Sequence, residues 1–323
     1  MKCTNKTGVF LVLAFVVLLG SGCRFSGFQS VVEHYETKEY EKRAYVNSLY
    51  SDDLCVVPKE EKKQQDWGLS GADSSALFNE GTKETLHAFQ VYKQLYPASV
   101  TKILTALVAL EHGNLQDTVT VSRNGAASSF PSYAQVCGLQ EGDRLSLEAL
   151  LCGLLLHSGN DSAVAVAEHI GGTEEKFVDM MNQKAAELLA TDTHFTNPSG
   201  LHDDEHYTTA YDLYLIFHAC IRQEAFVNII RMPMYTASIT GRDGSVRQVS
   251  WEPTNYYARG LVASPQTAVI AGGKTGTTDE AGNCLILLEY ANDGTPYVSV
   301  VMGAKTKELL YQDMSALIEQ ISP

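Results

Sequence analysis

The middle of the chain, from about residue 97 to residue 221, carries apolar residues at helical spacing. Pro97 stands just before the first such stretch, in which Ile103, Leu104 and Leu107 share one face, so Ser99 is expected to open a helix. An apolar run over 147–156 predicts the body of a second helix. Three further helices are predicted from near residue 161 to residue 172, over 174–190, and from the segment 206–213 to near residue 220.

The two ends of the chain carry runs that are typical of strands. Residues 74–78 predict one strand, 54–57 a possible earlier one and 118–121 a short one. In the last quarter, residues 267–270 lead into a glycine-rich segment, and the runs 284–290 and 297–302 are joined by Asn292-Asp293-Gly294, which favours a hairpin before a terminal helix over 307–321. This order predicts an α/β (α+β) fold, with an antiparallel sheet built from both chain ends, flanked by helices and interrupted by an all-helical region.

The first 22 residues predict an export signal, because two lysines precede an apolar run over 9–19 and small residues follow. Residues 19–23 look like a bacterial lipoprotein cleavage box in which Cys23 becomes lipidated, although Gly20 stands where leucine is usual. An uncleaved anchor and ordinary cleavage nearby are the alternatives. We therefore expect a protein on the extracytoplasmic face of the bacterial cytoplasmic membrane, with a charged tether or spacer over 23–68 and a functional domain over 69–323.

Charge and cysteine content narrow the function further. The chain has 24 Lys and Arg against 38 Asp and Glu, a net charge of −14, which argues against nucleic acid or an anionic lipid surface as a partner. An anionic ligand must therefore be bound by a local cation. Beyond Cys3 and Cys23, the odd number of cysteines and their apolar surroundings predict buried free thiols rather than disulfides at Cys55, Cys137, Cys152, Cys220 and Cys284.

The first candidate for chemistry is the pair Ser99 and Lys102. Residues three apart on a helix share a face, so the hydroxyl and the amine can meet at the helix start. A neutral lysine can take the proton of a serine, provided that burial and a second cation lower its pKa. A capping serine with a surface lysine is the alternative. Ser99 is, however, the only serine that a lysine follows three residues later.

Two further motifs follow in order along the chain. Ser158-Gly159-Asn160 falls at the predicted break between two helices, where a small loop can direct both polar side chains into a cleft. Lys274-Thr275-Gly276 falls at the end of a predicted strand, where glycine lets a substrate backbone lie against the strand edge and lysine offers a cation to a carboxylate. A basic residue in a β-turn is the alternative for Lys274 alone.

Taken together, the three motifs resemble those of the penicillin-recognising serine enzymes, and over residues 69–317 the chain is most similar to the serine D-alanyl-D-alanine carboxypeptidases, the low-molecular-weight penicillin-binding proteins. The resemblance implies a β-lactamase/transpeptidase-like fold. It also implies an acyl-enzyme on peptidoglycan stem peptides ending in D-Ala-D-Ala, covalent inhibition by β-lactams, and no cofactor or metal. Related carboxypeptidases often carry a second β domain and a C-terminal amphipathic membrane helix, whereas this sequence stops soon after its predicted terminal helix. Any anchoring is therefore expected at the N-terminus.

The resemblance also implies a role for each motif residue. Ser99 is the expected nucleophile, Lys102 its base, Ser158 the proton relay, and Asn160 a hydrogen-bond partner of Lys102 and substrate. Substrate binding is expected at Lys274, Thr275, Gly276 and Thr277, with the backbone N–H groups of Ser99 and Thr277 forming the oxyanion hole. Thr277 departs from the family, since histidine is common there. The substrate preference of this chain is therefore left open.

Three rival functions remain open. A serine β-lactamase shares the motifs but needs a carboxylate that activates the deacylating water. In the class A type this residue belongs to an E-x-x-L-N pattern downstream of S-x-N, whereas here Glu187 is followed by Leu188-Leu189-Ala190 and no such pattern appears. A non-hydrolytic module that senses stem peptides or β-lactams typically lacks the nucleophile or the base. A zinc peptidase is suggested by His202 and His206, which stand four apart among acids, although the segment reads as a loop.

Overall fold

Nine strands and seven helices follow one another in the computed structural model, which describes residues 50–57, 67–69 and 71–322. The strands are β1 (Ser74–Asn79), β2 (Glu84–Phe89), β3 (Thr118–Thr120), β4 (Arg144–Ser146), β5 (Tyr235–Thr240), β6 (Val246–Trp251), β7 (Ala268–Thr278), β8 (Gly282–Ala291) and β9 (Pro296–Ala304). The helices are α1 (Lys102–His112), α2 (Leu147–Cys152), α3 (Asn160–Gly171), α4 (Glu174–Glu187), α5 (Ala210–Ile221), α6 (Glu224–Ile230) and α7 (Lys307–Ile318). The predicted signal, Cys23 and most of the predicted spacer lie outside the described residues.

The main sheet joins the two ends of the domain. Its five strands are antiparallel in the order β2-β1-β9-β8-β7, and β1 pairs with β9 from Ser74 opposite Met302 to Asn79 opposite Tyr297. The predicted hairpin at 292–294 is present, with Gly294 at φ +89° and its N–H donating to the carbonyl of Ala291. The predicted α/β (α+β) arrangement is therefore confirmed.

Apolar side chains cover both faces of this sheet. One face packs Leu285 and Leu287 of β8 against Leu310 and Met314 of α7. The other face belongs to a larger core that includes the apolar residues of α1, α2, α3 and α5. Because α1 lies inside that core and β7 lies at the edge of the sheet, the three sequence motifs meet where the helical region joins the sheet.

A second sheet, of four strands in the order β3-β4-β5-β6, was not predicted. Of its four strands, the sequence predicted only the one near residues 118–121. Two of its strands have three residues each, too few to show a period, and the pairing joins segments that are far apart in sequence.

Helix starts follow local capping chemistry. Ser146 accepts the N–H of Ala149 at 3.1 Å at the start of α2, and Thr209 accepts the N–H of Asp212 at 3.0 Å at the start of α5. After α2 the backbone widens into a π-helix over Gly153–His157 and ends at Ser158, which adopts the left-handed conformation at φ +66°. The predicted break between the two helices is therefore where the Ser158 motif lies.

Two expected elements differ from the prediction. Residues 54–57 form no strand, because side chains rather than a neighbouring strand hold this segment. The N–H of Cys55 donates to the hydroxyl of Tyr214 at 2.9 Å, and the hydroxyl of Tyr211 donates to the carbonyl of Cys55 at 3.0 Å. This segment belongs to the predicted spacer, yet Cys55 and Val57 are buried. The helix expected over 174–190 ends at residue 187, where Leu189 turns left-handed at φ +61°.

The five cysteines that the structure describes are all buried and free, as predicted. Within the described ranges no single helix has the length and apolar character needed to cross a membrane. The helices α5 and α6 reach that length and apolar character only when taken together, as a pair bent by 105°.

Candidate active site

The candidate nucleophile lies on a tight turn rather than on the α-helix itself. Residues Ala98–Thr101 form a 3-10 turn, and α1 begins at Lys102. Ser99 therefore lies in the turn before α1, whereas the sequence predicted that it opens the helix itself. Ala98 has φ +48°, a conformation that costs energy for a residue with a Cβ. Val100 is fully buried while Ser99 is half-buried, so the turn is anchored in the core and leaves the Ser99 hydroxyl accessible.

Lys102 lies directly beside Ser99 with a side chain that is 0% exposed. Its Nζ lies 2.9 Å from the Oγ of Ser99, 2.7 Å from the Oδ1 of Asn160, and within hydrogen-bond distance of the carbonyl oxygen of Ser199. A neutral amine has two N–H donors and one lone pair. Because the two carbonyl oxygens can only accept, the two N–H groups go to them, and the lone pair is left for the proton of Ser99.

The electrostatics of the site favour that neutral amine. Burial holds the pKa of Lys102 well below its ordinary value of 10.5, and the positive charge of Lys274 lowers it further. The charge of Asp161 acts in the opposite direction, but burial is the larger effect. Lys102 therefore has the properties that a general base needs.

The loop between the π-helix and α3 contacts both lysines. Asn160 is the first residue of α3, and it accepts from Lys102 through its side chain while its backbone N–H donates to the carbonyl of Gln135 at 2.9 Å. The hydroxyl of Ser158 lies 2.9 Å from the Nζ of Lys274.

Lys274 projects from β7 into the same cleft and is 1% exposed. Its Nζ donates to the carbonyl of Thr275 at 2.8 Å and lies beside Ser158. Burial lowers the pKa of Lys274 from 10.5 to about 7. Thr275 is half-buried, with its Oγ1 2.5 Å from the Oγ1 of Thr254, so a second hydroxyl that the sequence analysis missed lies beside this motif.

The strand β7 approaches the turn Ala98–Thr101, the nucleophile's turn, so closely that only glycine fits at position 276. A Cβ there would lie 2.7 Å from the carbonyl oxygen of Pro97 and 3.0 Å from the backbone nitrogen of Ser99. The backbone of β7 therefore lies directly against the Ser99 turn. Thr277, next along the strand, is exposed, and the shared oxyanion role of Ser99 and Thr277 stays a prediction.

His206, one of the two histidines considered for zinc, instead supports the nucleophile's turn. Its Nδ1 accepts the N–H of Thr196 at 3.1 Å, so its Nε2 carries the proton toward Thr101 Oγ1 at 2.8 Å. Thr101 in turn donates to the carbonyl of Ala98 at 2.8 Å. Both ring nitrogens are thus occupied, and among the residues that the structure describes no three His, Cys, Asp or Glu side chains group as metal ligands.

A cavity of about 660 Å³ lies elsewhere on the described surface. Tyr96 and the turn at Ala281 and Gly282 line it, together with the carboxylates of Asp279 and Glu280. Ser99, Lys102 and Lys274 do not line this cavity, so the chemistry belongs to the cleft between the Ser158 loop and β7.

The fold and these contacts define the class of serine enzymes in which a lysine rather than a histidine activates the nucleophile. The chain belongs to the D-alanyl-D-alanine carboxypeptidase family, whose family model matches residues 60–306. The family resemblance that the three motifs indicated is thereby confirmed.

Known relatives agree with this assignment. The chain is 34% identical over 242 residues to the D-alanyl-D-alanine carboxypeptidase DacD of Escherichia coli, covering 72% of this chain and 58% of the relative. It is 31% identical over 240 residues to DacF of Bacillus subtilis, with 73% and 58% covered. The chain thus spans somewhat more than half the length of these relatives.

Solved structures show the same fold. The Streptomyces K15 DD-transpeptidase superposes with a TM-score of 0.70 at 27% identity, covering 77% of this chain and 95% of that one. Penicillin-binding protein 5 from Haemophilus influenzae superposes with a TM-score of 0.68 at 27% identity, covering 82% and 72%.

Proposed function

We propose that this protein is a serine D-alanyl-D-alanine carboxypeptidase that removes the terminal D-Ala from peptidoglycan stem pentapeptides through an acyl-enzyme on Ser99. The observation that carries the proposal is the position of the Lys102 amine, which is buried, held by two carbonyl oxygens and 2.9 Å from the Ser99 hydroxyl. Membership of the carboxypeptidase family supports the choice of substrate.

In the acylation step, Lys102 takes the proton of Ser99 while the Ser99 oxygen attacks the carbonyl of the penultimate D-Ala. The backbone N–H groups of Ser99 and Thr277 stabilise the oxyanion that forms. The carbon–nitrogen bond to the last residue then breaks, and Ser158 passes its proton to the departing amine. The proton that Lys102 took from Ser99 then moves to Ser158, which leaves Lys102 neutral again. The 2.9 Å contact from Ser158 to Lys274 supports this relay, because a cation beside the hydroxyl makes it a better proton donor.

Recognition of the free C-terminus falls to β7. Lys274 and Thr275 bind the substrate carboxylate, and Gly276 lets the substrate backbone lie against the strand edge. The buried cation is well suited to an anion in a protein of net charge −14, since a charge-assisted hydrogen bond in a buried site is stronger than one in water.

In the deacylation step, water attacks the ester carbonyl, the bond from the acyl carbon to the Ser99 oxygen breaks, and a proton from the water returns to Ser99 as the shortened peptide leaves. A β-lactam would leave a long-lived ester by this mechanism. The carboxylate that acts electrostatically on Lys102 is Asp161, and both of its oxygens already accept backbone N–H groups, so it is poorly suited to activating water. This supports a penicillin-inhibited carboxypeptidase over a serine β-lactamase.

Mass spectrometry of a synthetic stem pentapeptide after incubation tests the proposal. Wild type should release one D-Ala, and Ser99→Ala should release none. A fluorescent penicillin should label wild type and not Ser99→Ala. Rapid turnover of a chromogenic β-lactam would instead indicate a β-lactamase, labelling without D-Ala release a sensor, and loss of activity in EDTA a metallopeptidase.

We also propose that the enzyme acts outside the cytoplasm, anchored through a lipid on Cys23 or through its signal segment. The location outside the cytoplasm is proposed because the peptidoglycan substrate lies there. The lipid is proposed from the sequence of residues 19–23. Metabolic labelling with a fatty-acid analogue should mark wild type but not Cys23→Ala. Equal labelling of both proteins would rule out the lipid at this position.

A further inference from the structure

Asp161 is a buried carboxylate directly after Asn160, and the sequence motifs assign it no role. Its side chain is 0% exposed. Its Oδ1 accepts the N–H of Cys137 at 2.8 Å and that of Ser162 at 2.9 Å, and its Oδ2 accepts the N–H of Leu139 at 3.0 Å. Two of these three donors belong to a loop more than 20 residues earlier in the chain, so the carboxylate ties that loop to the start of α3.

The loop that Asp161 holds is the surface on which the Ser158 motif rests. The carbonyl of Gln135 accepts the backbone N–H of Asn160 at 2.9 Å. A Cβ on Gly159 would lie 2.4 Å from the Sγ of Cys137, so the motif packs directly on residues 135–139. If the loop shifts, the Asn160 amide that fixes the Lys102 amine must shift with it.

Asp161 also places a negative charge close enough to the buried Lys102 to act on it electrostatically. Lys102 is faced by Lys274 from β7, Asp161 from α3, Cys137 from the loop, and His206 from the segment before α5. Burial and Lys274 lower the pKa of Lys102, whereas Asp161 raises it. The start of α3 favours the ionised carboxylate through its dipole and the three N–H donors, even though burial raises the pKa of Asp161.

We propose that Asp161 is a positioning residue of this active site, which holds Ser158 and Asn160 in place through the loop at 135–139 and supplies a fixed negative charge that acts on Lys102. This inference rests on the proposed function, because it assigns a role in the same acylation step. The carboxylate does not touch the reacting atoms, and it acts through Asn160 and Lys102.

Two variants distinguish a displaced Asp161 carboxylate from the loss of its negative charge. In Asp161→Asn the side-chain oxygen can keep the Cys137 and Ser162 contacts, while the amide nitrogen meets the N–H of Leu139 and the charge is lost. In Asp161→Glu the charge is kept and the carboxylate is displaced by one methylene. The readout is the second-order rate constant for acylation of Ser99 by a penicillin as a function of pH, since this needs no release of D-Ala.

We expect both variants to acylate about tenfold to a hundredfold more slowly than wild type, because a small misplacement of a catalytic group has effects of that size. Only Asp161→Asn should move the acid limb of the profile to lower pH, because Lys102 then stays neutral to a lower pH. Asp143→Asn is the matched control. Asp143 is also buried and accepts from Gln140, but it pairs with Arg247, so its loss should lower the melting temperature without moving the acid limb.

Wild-type rates and an unmoved acid limb in folded Asp161→Asn would overturn the proposal. Should Asp161→Asn fail to accumulate as folded protein, Asp161→Glu decides, and acylation at the wild-type rate at every pH would overturn it. If wild type is acylated by penicillin but releases no D-Ala from the pentapeptide, the proposed function fails while this test of Asp161 still stands.

Discussion

The Nζ of Lys274 lies 2.9 Å from the Oγ of Ser158, across 116 residues of sequence. One residue belongs to the edge strand β7 and the other to the loop before α3, so this contact joins the sheet to the inserted helical region. Ser158 and Asn160 together connect the two buried lysines, since Asn160 accepts from Lys102. The chemistry proposed for Ser99 depends on this connection, because it brings a base and an anion-binding cation into one cleft.

Replacing Lys274 by glutamine should selectively impair recognition of the substrate carboxylate. A hydrogen bond to a charged group contributes about 1.5–3 kcal/mol, so kcat/KM for a peptide with a free C-terminus should fall about 10-fold to 150-fold. For the same peptide with a C-terminal amide the fall should be smaller, because that peptide loses only the effects of Lys274 on Lys102 and Ser158. Lys93→Gln is the control, since Lys93 pairs with Asp73 and is largely exposed. Equal losses on both peptides would contradict carboxylate binding by Lys274.

The pH dependence of kcat/KM should be bell-shaped, with a different lysine on each limb. As pH falls, Lys102 gains a proton and stops acting as a base, and its lowered pKa places this limb far below 10.5. As pH rises through about 7, Lys274 loses the proton with which it binds the carboxylate, so kcat/KM falls again.

Lys274→Arg tests the alkaline limb, because arginine stays charged throughout the range. The alkaline limb of kcat/KM should move to much higher pH in this variant, while the acid limb stays near its wild-type position. An alkaline limb that is unchanged in Lys274→Arg would show that another group titrates there.

The sequence could predict contacts within a motif but not most contacts between motifs. Ser99 and Lys102 are three apart, so local helical geometry was sufficient to bring them together even though the turn is 3-10 rather than α-helical. The convergence of the three motifs came from family resemblance. The bond from Lys102 to the Ser199 carbonyl spans 97 residues and that from Thr101 to His206 spans 105, and no periodic pattern marks either pair.

The Thr254 hydroxyl was not predicted for the same physical reason. It lies 21 residues before its partner Thr275 and outside all three motifs. Side chains that act by tertiary contact leave no signal in local composition. Strands and helices, in contrast, are visible in the sequence through the period of their apolar residues. The strand expected over 54–57 was wrong for a related reason, because an apolar run does not reveal whether a strand or side chains will bond its backbone.

Gly276→Ala should reduce catalysis more than stability. Its Cβ would meet the carbonyl of Pro97 and the nitrogen of Ser99, so β7 must move away from the nucleophile's turn and the expected oxyanion hole must widen. Removal of one oxyanion donor costs about 10²–10³ in kcat, and a loss approaching that size is expected here. Gly125→Ala is the control, because its Cβ would make ordinary contacts at 3.4 Å or more. Wild-type kcat in Gly276→Ala would contradict this close approach.

Glu289 of β8 is a buried carboxyl on the face of the sheet that packs against α7, remote from the proposed chemistry. Its side chain is 0% exposed, and no well-formed hydrogen bond from the described residues satisfies either of its oxygens, although nearby Ser299 partly offsets the effect of burial. Burial therefore raises its pKa well above 4.5, and the native protein keeps this proton where the unfolded chain loses it. The free energy of unfolding should accordingly decrease as pH rises above about 4.5.

Glu289→Gln should remove that decrease, because glutamine has nearly the same shape and cannot ionise. One proton that is bound in the native state and absent from the unfolded state changes the free energy of unfolding by about 1.4 kcal/mol per pH unit. Urea unfolding should therefore find wild type and Glu289→Gln similar near pH 4, and the variant more stable at pH 7. Glu141→Gln, on an exposed turn, should keep the wild-type slope. Parallel curves for wild type and Glu289→Gln between pH 4 and pH 7 would mean that Glu289 titrates alike in the folded and unfolded chains, and the burial argument would fail.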